Sequence, residues 1–440
     1  MLKIRKRYFI ITNFLLNFFI FQIVYYIRYI FFLKEATTVN IQVTIIFLLF
    51  SLLSILFSIA LKVYEIPKVT TVVETISMLS IADLFAAMTM SLIYYITKID
   101  FPRFVFISGF LLTVFSKALF NRVTYLLLVK KFISPTEVFY IGSFNNLHLI
   151  NELIENYRMY YRLRFNKKIE IAEEIKQIQQ KDSVLLVDTS LPISEDSVKA
   201  INDFEDSGGK VVTTVDFFEY LDESLPPEFI ERNYLDLFSY SRINSLYEQS
   251  FKRSTDIIFS ILFIIITLPL IVILFLLVKL TSRGPAIIKQ ERMGKNDKPF
   301  IMYKFRSMVV DAEKNGVQLA VKNDPRVTGL GKFMRPFRLD EILQFFNILK
   351  GDMSFVGPRP ERPELVQEFV KEIPFYKKRL LVRPGLTGWA QVKHEYASNH
   401  EQMKKKLAHD LYYIRHLTFM MDIKIILYTI ETIIFHRGAI

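Results

Sequence analysis

The chain has 440 residues, no cysteine, a net charge of +12 and 51% hydrophobic residues, with a mean hydropathy of +0.27. That length allows two or three domains, and the apolar content is too high for a purely soluble protein. Without cysteine there are no disulfides, no thiolate nucleophile and no cysteine-ligated zinc or iron–sulfur centre, which makes redox chemistry at protein groups a poor fit.

Four apolar segments crowd the N-terminal region, over residues 8–33, 41–63, 75–96 and 104–119. Each is near the ~20 residues that a spanning helix needs, so residues 1–133 are predicted to hold a four-helix transmembrane bundle. The first segment is longer than the apolar core of a signal peptide, has no small-residue cleavage site after it and is followed by three more, which speaks against a cleavable leader. Lys3, Arg5, Lys6 and Arg7 precede the first segment, and Lys117, Arg122, Lys130 and Lys131 surround the end of the fourth. This bias predicts that both ends of the bundle face the cytoplasm.

Residues 134–225 alternate short apolar runs with helical patterns: VFYIG at 138–142, a helix over 147–156, SVLLVD at 183–188 and KVVTTVD at 210–216. The alternation predicts a Rossmann-like α/β module with a parallel sheet. Gly142 follows a strand and precedes a helix, but IGSFNN lacks the GxGxxG pattern that brings backbone against a pyrophosphate. A regulatory or assembly module is therefore the favoured reading. Pro226, Pro227 and the polar residues up to 251 read as a linker.

An apolar helix is predicted over 252–280, with Pro269 near its middle. Proline removes a helix hydrogen bond, so the segment either kinks as it spans or breaks at Pro269 and turns back as a re-entrant hairpin. A full crossing would carry the basic C-terminal region out of the cytoplasm, away from nucleotide-activated substrates, which favours re-entry. Residues 281–440 carry 28 Lys+Arg against 17 Asp+Glu, or +11, leaving +1 for everything before them. A basic domain tethered to a membrane fits anionic lipid headgroups and phosphorylated substrates. No nucleic-acid-binding motif is present, so nucleic acid is not an expected partner.

Within this region, glycine and proline turns punctuate short motifs, as in a small helix-rich domain. The most informative run is RPFRLDEILQFFNILKGDMSFVGPRP, residues 335–360. Asp340 and Glu341 are predicted to sit in the first turn of an apolar helix, where its dipole favours ionised carboxylates that act as a nucleophile or as ligands for a hard cation such as Mg²⁺. Gly351 suits the left-handed residue that ends such a helix, and Pro358 and Pro360 stiffen the chain around Arg359. Capping alone explains an acid pair, but Arg335, Arg338 and Arg359 around it exceed what capping needs and suit a phosphorylated ligand. The six histidines form no HExxH motif, the sole tryptophan, Trp389, reads as an interfacial or core residue, and the apolar segment 422–435, with Lys424 and Glu431, reads as a helix lying on the membrane.

Taken in order, KRSTD, the proline-containing membrane helix, GPAIIKQERMG, YKFRSM, LDE, NILKGDMSFVGPRP, RPGLTGWAQV and DLYYI closely resemble the polyprenyl-phosphate hexose-1-phosphate transferases, or bacterial sugar transferases. The resemblance covers 252 to the C-terminus, and the spans and α/β module before it resemble the larger members that initiate exopolysaccharide, capsule or O-antigen synthesis. It implies transfer of a sugar 1-phosphate from a UDP-sugar to undecaprenyl or another polyprenyl phosphate, with release of UMP, in a bacterial inner membrane and with the active site on the cytoplasmic face. It also implies that Asp340 forms a covalent phosphosugar intermediate and that Glu341 holds Mg²⁺. Arg359, with Pro358 and Pro360, would bind the nucleotide; Arg306, Arg335 and Arg383 would contact phosphate, and Asp410 matches a further functional acid. Leu343 and Leu268 depart from the residues many members carry, proline and serine respectively. A glycosyltransferase that releases UDP and a non-catalytic assembly scaffold are the competing readings; the transferred sugar and a homo-oligomeric state stay open.

Overall fold

The structure is a computed structural model that describes residues 2–28, 30, 41–60, 63–64, 72–97, 103–124, 135–158, 161–164, 183–189, 194–230, 247–309, 312, 324–394 and 400–434. The chain forms two compact units, Met1–Pro135 and Thr136–Ile440. Lys130, Lys131, most of the expected linker (231–246) and Phe435 lie outside the described residues.

The first unit holds helices α1 (Leu2–Ile27), α2 (Ile41–Ala60), α3 (Val72–Thr97) and α4 (Arg103–Thr124), which pack in cyclic order, each against two neighbours. Phe9–Ile27, Ile41–Ala60 and Val105–Thr124 are long and apolar enough to cross a membrane, and α3 contributes the apolar stretch Met78–Ile93. Leu15, Phe19, Leu52, Leu56, Leu92 and Phe115 point outward. Polar groups are sequestered inside, as hydrocarbon surroundings demand. There Lys117 Nζ lies 2.6 Å from both Asp83 carboxylate oxygens, Ser54 Oγ donates to Asp83, Asn17 donates to Ser54 and Asn13 to Asn121. This network takes one or more residues from each helix, so it specifies how the four meet.

Removing one partner of a buried ion pair strands the other charge, at a cost of about 3–5 kcal/mol, whereas replacing both with apolar residues is close to neutral. Lys117→Met is therefore expected to lower the SDS concentration at which the helical signal of the purified protein is lost. Asp83→Leu combined with Lys117→Met is expected to restore it.

In the second unit, β1 (Thr136–Ile141), β2 (Tyr161–Arg164), β3 (Ser183–Val187) and β4 (Lys210–Thr213) form an all-parallel sheet in the order β2-β1-β3-β4. Ser183–Val187 is buried throughout, matching the unbroken apolar run of its sequence. α5 (Leu147–Asn156) and α6 (Glu195–Asp206) accompany the strands, and α7 (Thr214–Leu221) follows β4 directly, where Thr213 caps it. Strand β2, helix α6 and helix α7 escape the sequence reading: β2 is a short YRLR with two arginines, α6 is polar, and α7 takes over at Thr214 from the run KVVTTVD, whose strand ends at Thr213.

The residues expected to open a linker do not do so. Leu225, Pro227, Phe229 and Ile230 are buried, and the Leu225 amide donates to the Ala408 carbonyl at 2.9 Å. The apolar residues that flank the two prolines, Leu225 before them and Phe229 and Ile230 after, are the reason: they cover the C-terminal region and weld it to the α/β module.

Helix α8 (Lys252–Thr281) is continuous through Pro269, where the sequence predicts a break. One missing hydrogen bond leaves the rest of the ladder to carry the helix on. Arg253 near its start donates to the Ile348 and Leu349 carbonyls at 2.6 and 2.8 Å, while Leu274 and Val278 near its end pack with Phe305, Met334, Ile342 and Leu343. Both ends thus meet the same domain. That domain comprises the hairpin β5 (Ile287–Met293) and β6 (Pro299–Phe305), α9 (Gly329–Met334), α10 (Gln344–Lys350), the parallel pair β7 (Ser354–Val356) and β8 (Gly385–Thr387), α11 (Pro363–Glu372), α12 (Trp389–Lys393), α13 (His400–Arg415) and α14 (Phe419–Ile434).

Trp389 is a core residue, 1% exposed. Lys424 and Asp422 of α14 do not form an outward face: Lys424 is buried against Glu223, and Asp422 against Lys252 and Tyr413, while the Glu431 side chain lies outside the described residues. Their partners are 201 and 170 residues away in sequence, so periodicity within the helix could not reveal them.

Candidate active site

The Asp340–Glu341 pair lies in a single 3-10 turn, Leu339–Glu341, three residues before α10 begins at Gln344. The predicted first-turn placement is corrected accordingly: Arg338 adopts a left-handed backbone (φ +53°), and that reversal ends one path and starts a tighter one. A non-glycine residue in this conformation stores strain, a common feature of functional loops. Both acids are buried, at 8% and 5% exposure. At the far end of α10, Gly351 is left-handed (φ +102°) and closes the helix as predicted.

Glu341 is held by three cations from separate elements. Lys304 of β6 and Arg359 of the β7–α11 loop approach Oε1 at 2.7 and 2.8 Å, and Arg338 lies 3.8 Å from Oε2. Burial alone would raise the Glu341 pKa, but Arg359, Lys304 and Arg338 outweigh it and hold the carboxyl well below the usual range. Asp340 moves the other way: burial, and then the charge of Glu341, raise it against the pull of Lys304, Arg335 and Arg359. Two adjacent carboxyls are thereby split into a fixed anion and a more basic one, the division of roles an acid pair needs for chemistry.

Arg359 also donates to Gln391 Oε1 at 3.2 Å. Its loop leaves β7 against β8 so closely that a Cβ on Gly388 would come within 2.2 Å of the Gly357 carbonyl oxygen, and one on Gly385 within 2.1 Å of the Gly357 nitrogen. Glycines here permit the contact between the loop and RPGLTGWAQ. Arg335 donates to Ser307 and acts on Asp340 by charge. Arg306 is buried and donates to the Ser282 carbonyl and hydroxyl at 2.8 and 2.7 Å, while its Nε and Nη1 have no hydrogen-bond partner among the described residues. Such donors suit an anion.

Two of the residues singled out from sequence lie apart from the acid pair. Asp410 sits 2.8 Å from Arg379, which donates to the Arg359 carbonyl at 3.0 Å, so it reaches the site through backbone. Arg383 donates to the Gly351 carbonyl at 3.2 Å, at the opposite end of α10 from the acids. Pro358 and Pro360 line, with Arg359, Glu361 and Arg379, a small hollow that includes neither Asp340 nor Glu341. Conversely, Lys304, Gln391 and Arg379 are site residues the sequence reading missed. Lys304 could have been found, because it stands two residues before Arg306 in YKFRSM, at the end of β6, where extended backbone puts alternate residues on one face.

A divalent cation fits the donor set: Glu341 Oε2 is a buried carboxylate oxygen without a hydrogen bond among the described residues, and Asp340 adjoins it. Glu368, Glu372 and His400 also come together with metal-ligand spacing, on the exposed faces of α11 and α13.

Residues 247–436 match the bacterial sugar transferase family. Among relatives, a UDP-N-acetylgalactosamine-undecaprenyl-phosphate N-acetylgalactosaminephosphotransferase of Aeromonas hydrophila is 46% identical over 188 residues, which is 43% of this chain and 44% of that one. A UDP-glucose:undecaprenyl-phosphate glucose-1-phosphate transferase of Klebsiella pneumoniae is 43% identical over 41% of this chain and 39% of its own length. An exopolysaccharide production protein of Rhizobium leguminosarum bv. phaseoli is 39% identical over 188 residues, covering 92% of that protein. The chain belongs to the bacterial sugar transferase family. The match to the Aeromonas and Klebsiella proteins spans less than half of each, so it concerns the C-terminal family domain rather than those whole proteins.

Proposed function

We propose that the chain transfers a sugar 1-phosphate from a UDP-sugar to a polyprenyl phosphate such as undecaprenyl phosphate, the initiating step of a bacterial surface polysaccharide. The observation that carries this reading is the split acid pair: a buried, basic Asp340 beside a Glu341 held ionised by Lys304, Arg338 and Arg359. Names of relatives that act on undecaprenyl phosphate support it.

In this mechanism the Asp340 carboxylate attacks the sugar-bearing phosphorus, the bond from that phosphorus to the bridging oxygen breaks, and UMP leaves. The lipid phosphate then attacks the same phosphorus, frees Asp340 and carries away the diphosphosugar. Dividing the transfer lets a soluble donor and a lipid acceptor use one site in turn. Arg359, Arg335 and the unpartnered nitrogens of Arg306 supply positive charge for the donor phosphates, and Glu341 keeps Arg359 and Lys304 in place. Mg²⁺ bound at Glu341 and Asp340 would neutralise charge on the diphosphate.

The membrane arrangement follows the same logic. Contacts of Arg253, Phe263 and Leu274, spread along Lys252–Thr281, with the one C-terminal domain support re-entry from a single face, with a bend rather than a break at Pro269. With the cytoplasmic ends of the bundle predicted from its basic residues, that face is the cytoplasmic side of the inner membrane. The sheet order β2-β1-β3-β4 supports a Rossmann-like module.

The test is incubation of purified protein with Mg²⁺ and UDP-N-acetylgalactosamine, UDP-glucose or UDP-galactose labelled in the β-phosphate, scoring UMP and label on denatured protein. Stoichiometric UMP and bound label support the two-step transfer; UDP instead of UMP would replace it with a glycosyltransferase. A pH series adds a second check. Since Asp340 must be ionised to attack and its pKa is raised, label formation is expected to fall with decreasing pH at a midpoint above the ordinary aspartate value. Lys304→Met removes a lowering influence and is expected to move that midpoint to higher pH.

A further inference from the structure

The matched family domain begins at residue 247, yet one of its buried junctions is completed by a residue that precedes it. Glu223 stands at the end of the α/β module, fully buried and left-handed (φ +55°). Its carbonyl oxygen accepts from Trp389 Nε1 at 2.9 Å and from His409 Nδ1 at 3.1 Å, and its carboxylate accepts from Lys424 at 2.5 Å. Lys424 in turn lies 4.4 Å from the centre of the Trp389 ring. Burial pushes His409 down to about 4, so near neutral pH it is uncharged and its Nδ1–H is the donor that this carbonyl selects.

This junction leads straight to the acid pair. Trp389 opens α12, whose Gln391 accepts from Arg359 at 3.2 Å, and Arg359 grips Glu341 at 2.8 Å. Gly388, immediately before Trp389, rests on the Gly357 carbonyl at the root of the Arg359 loop. A shift of Trp389 therefore moves both supports of Arg359 together. A buried non-glycine residue held left-handed, with its carbonyl and its carboxylate both engaged, is more than a chain connection requires.

We propose that Glu223 is a positioning residue for the transferase reaction: acting through Trp389 and Gln391, it sets Arg359 against Glu341, and thereby makes the α/β module a structural part of the active site. The proposal rests on the transferase reading above. It gives the module a role that neither nucleotide binding nor tethering supplies.

Trp389 is the sole tryptophan of the chain, so its emission reports the junction directly. The experiment compares the full-length wild-type protein with Glu223→Ala and Glu223→Gln, measuring acrylamide quenching of Trp389 and steady-state UMP release across donor concentrations at saturating undecaprenyl phosphate. In Glu223→Ala, quenching is expected to rise about twofold and donor KM about tenfold or more, the scale on which small misplacements of a clamp act, with kcat changed far less. Both variants keep the main-chain carbonyl; Glu223→Gln also keeps a hydrogen-bonding side chain beside Lys424 while losing the ion pair, and is expected to change both quantities in the same direction by less. A general loss of folded protein would lower kcat in proportion to active fraction and leave KM unchanged. Wild-type quenching and wild-type KM in Glu223→Gln, if Glu223→Ala is not recovered folded, would overturn the proposal. So would raised quenching with an unchanged KM in either variant. Absence of UMP from wild type with every donor would instead remove the transferase reading, and the positioning role with it.

Discussion

Asp340→Asn is expected to abolish label on the denatured protein and to reduce UMP release by a factor on the order of 10⁴, with the midpoint of thermal unfolding unchanged or raised. The size of the loss follows from what the substitution removes: an amide is not a nucleophile toward phosphorus, and deletion of a nucleophile costs about as much as deletion of the whole catalytic unit. The stability expectation follows from the electrostatics. Asp340 is raised by burial and by its neighbour Glu341, which means that its ionised form is disfavoured in the fold. Asparagine removes that unfavourable charge while keeping the shape. Stability and activity thus move in opposite directions at one residue, as is usual where charges are assembled for chemistry. A scaffold would tolerate the change, and a ternary-complex transferase would keep UMP release in the presence of lipid phosphate while forming no labelled protein in the wild type either. Glu341→Gln provides the contrast. It leaves Lys304, Arg338 and Arg359 without their shared anion, so it is expected to weaken both stability and donor binding.

How much of this was legible in the sequence depended on how far apart the interacting residues are. Adjacent acids, flanking arginines and the glycine that ends α10 are local facts, and the sheet runs 138–142 and 183–188 stand out because buried parallel strands are continuously apolar. The grip on Glu341 was only half visible: Arg338 and Arg359 are near in sequence, whereas Lys304 is 37 positions away on a strand. Lys424 shows the opposite failure. Read within its own helix it suggests a wet or lipid-facing side, because nothing local hints that Glu223, from another part of the fold, fills its charge. The left-handed backbone at Arg338 was equally hidden, since arginine has no preference for it and tertiary contacts impose it.

Arg379→Ala is expected to be the most destabilising single change in the C-terminal domain. The Arg379 side chain is 2% exposed; it donates to Tyr376 at 2.7 Å and to the Arg359 carbonyl at 3.0 Å, and faces Asp410 at 2.8 Å and Glu361 at 3.9 Å. Glu361 has a second cation, Lys406 at 2.5 Å, which with Arg379 overcomes burial and brings its pKa down to about 2. Asp410 depends on Arg379 first, and burial raises its pKa even with Arg379 present. Stranding such a carboxylate costs about 3–5 kcal/mol. In the variant its folded pKa rises further above its unfolded value, so the lost stability is regained as pH falls toward the unfolded pKa and lost again as pH rises through the folded one. Urea unfolding followed by circular dichroism at several pH values checks both the size and the sign; equal stability loss at every pH would rule out Asp410 as the cause. Adding Asp410→Leu to Arg379→Met is expected to recover most of the stability, since an apolar pair needs no counter-charge. It does not return the hydrogen bond to the Arg359 carbonyl. The double variant should therefore fold and still bind donor poorly, which separates what Arg379 does for the fold from what it does for the site.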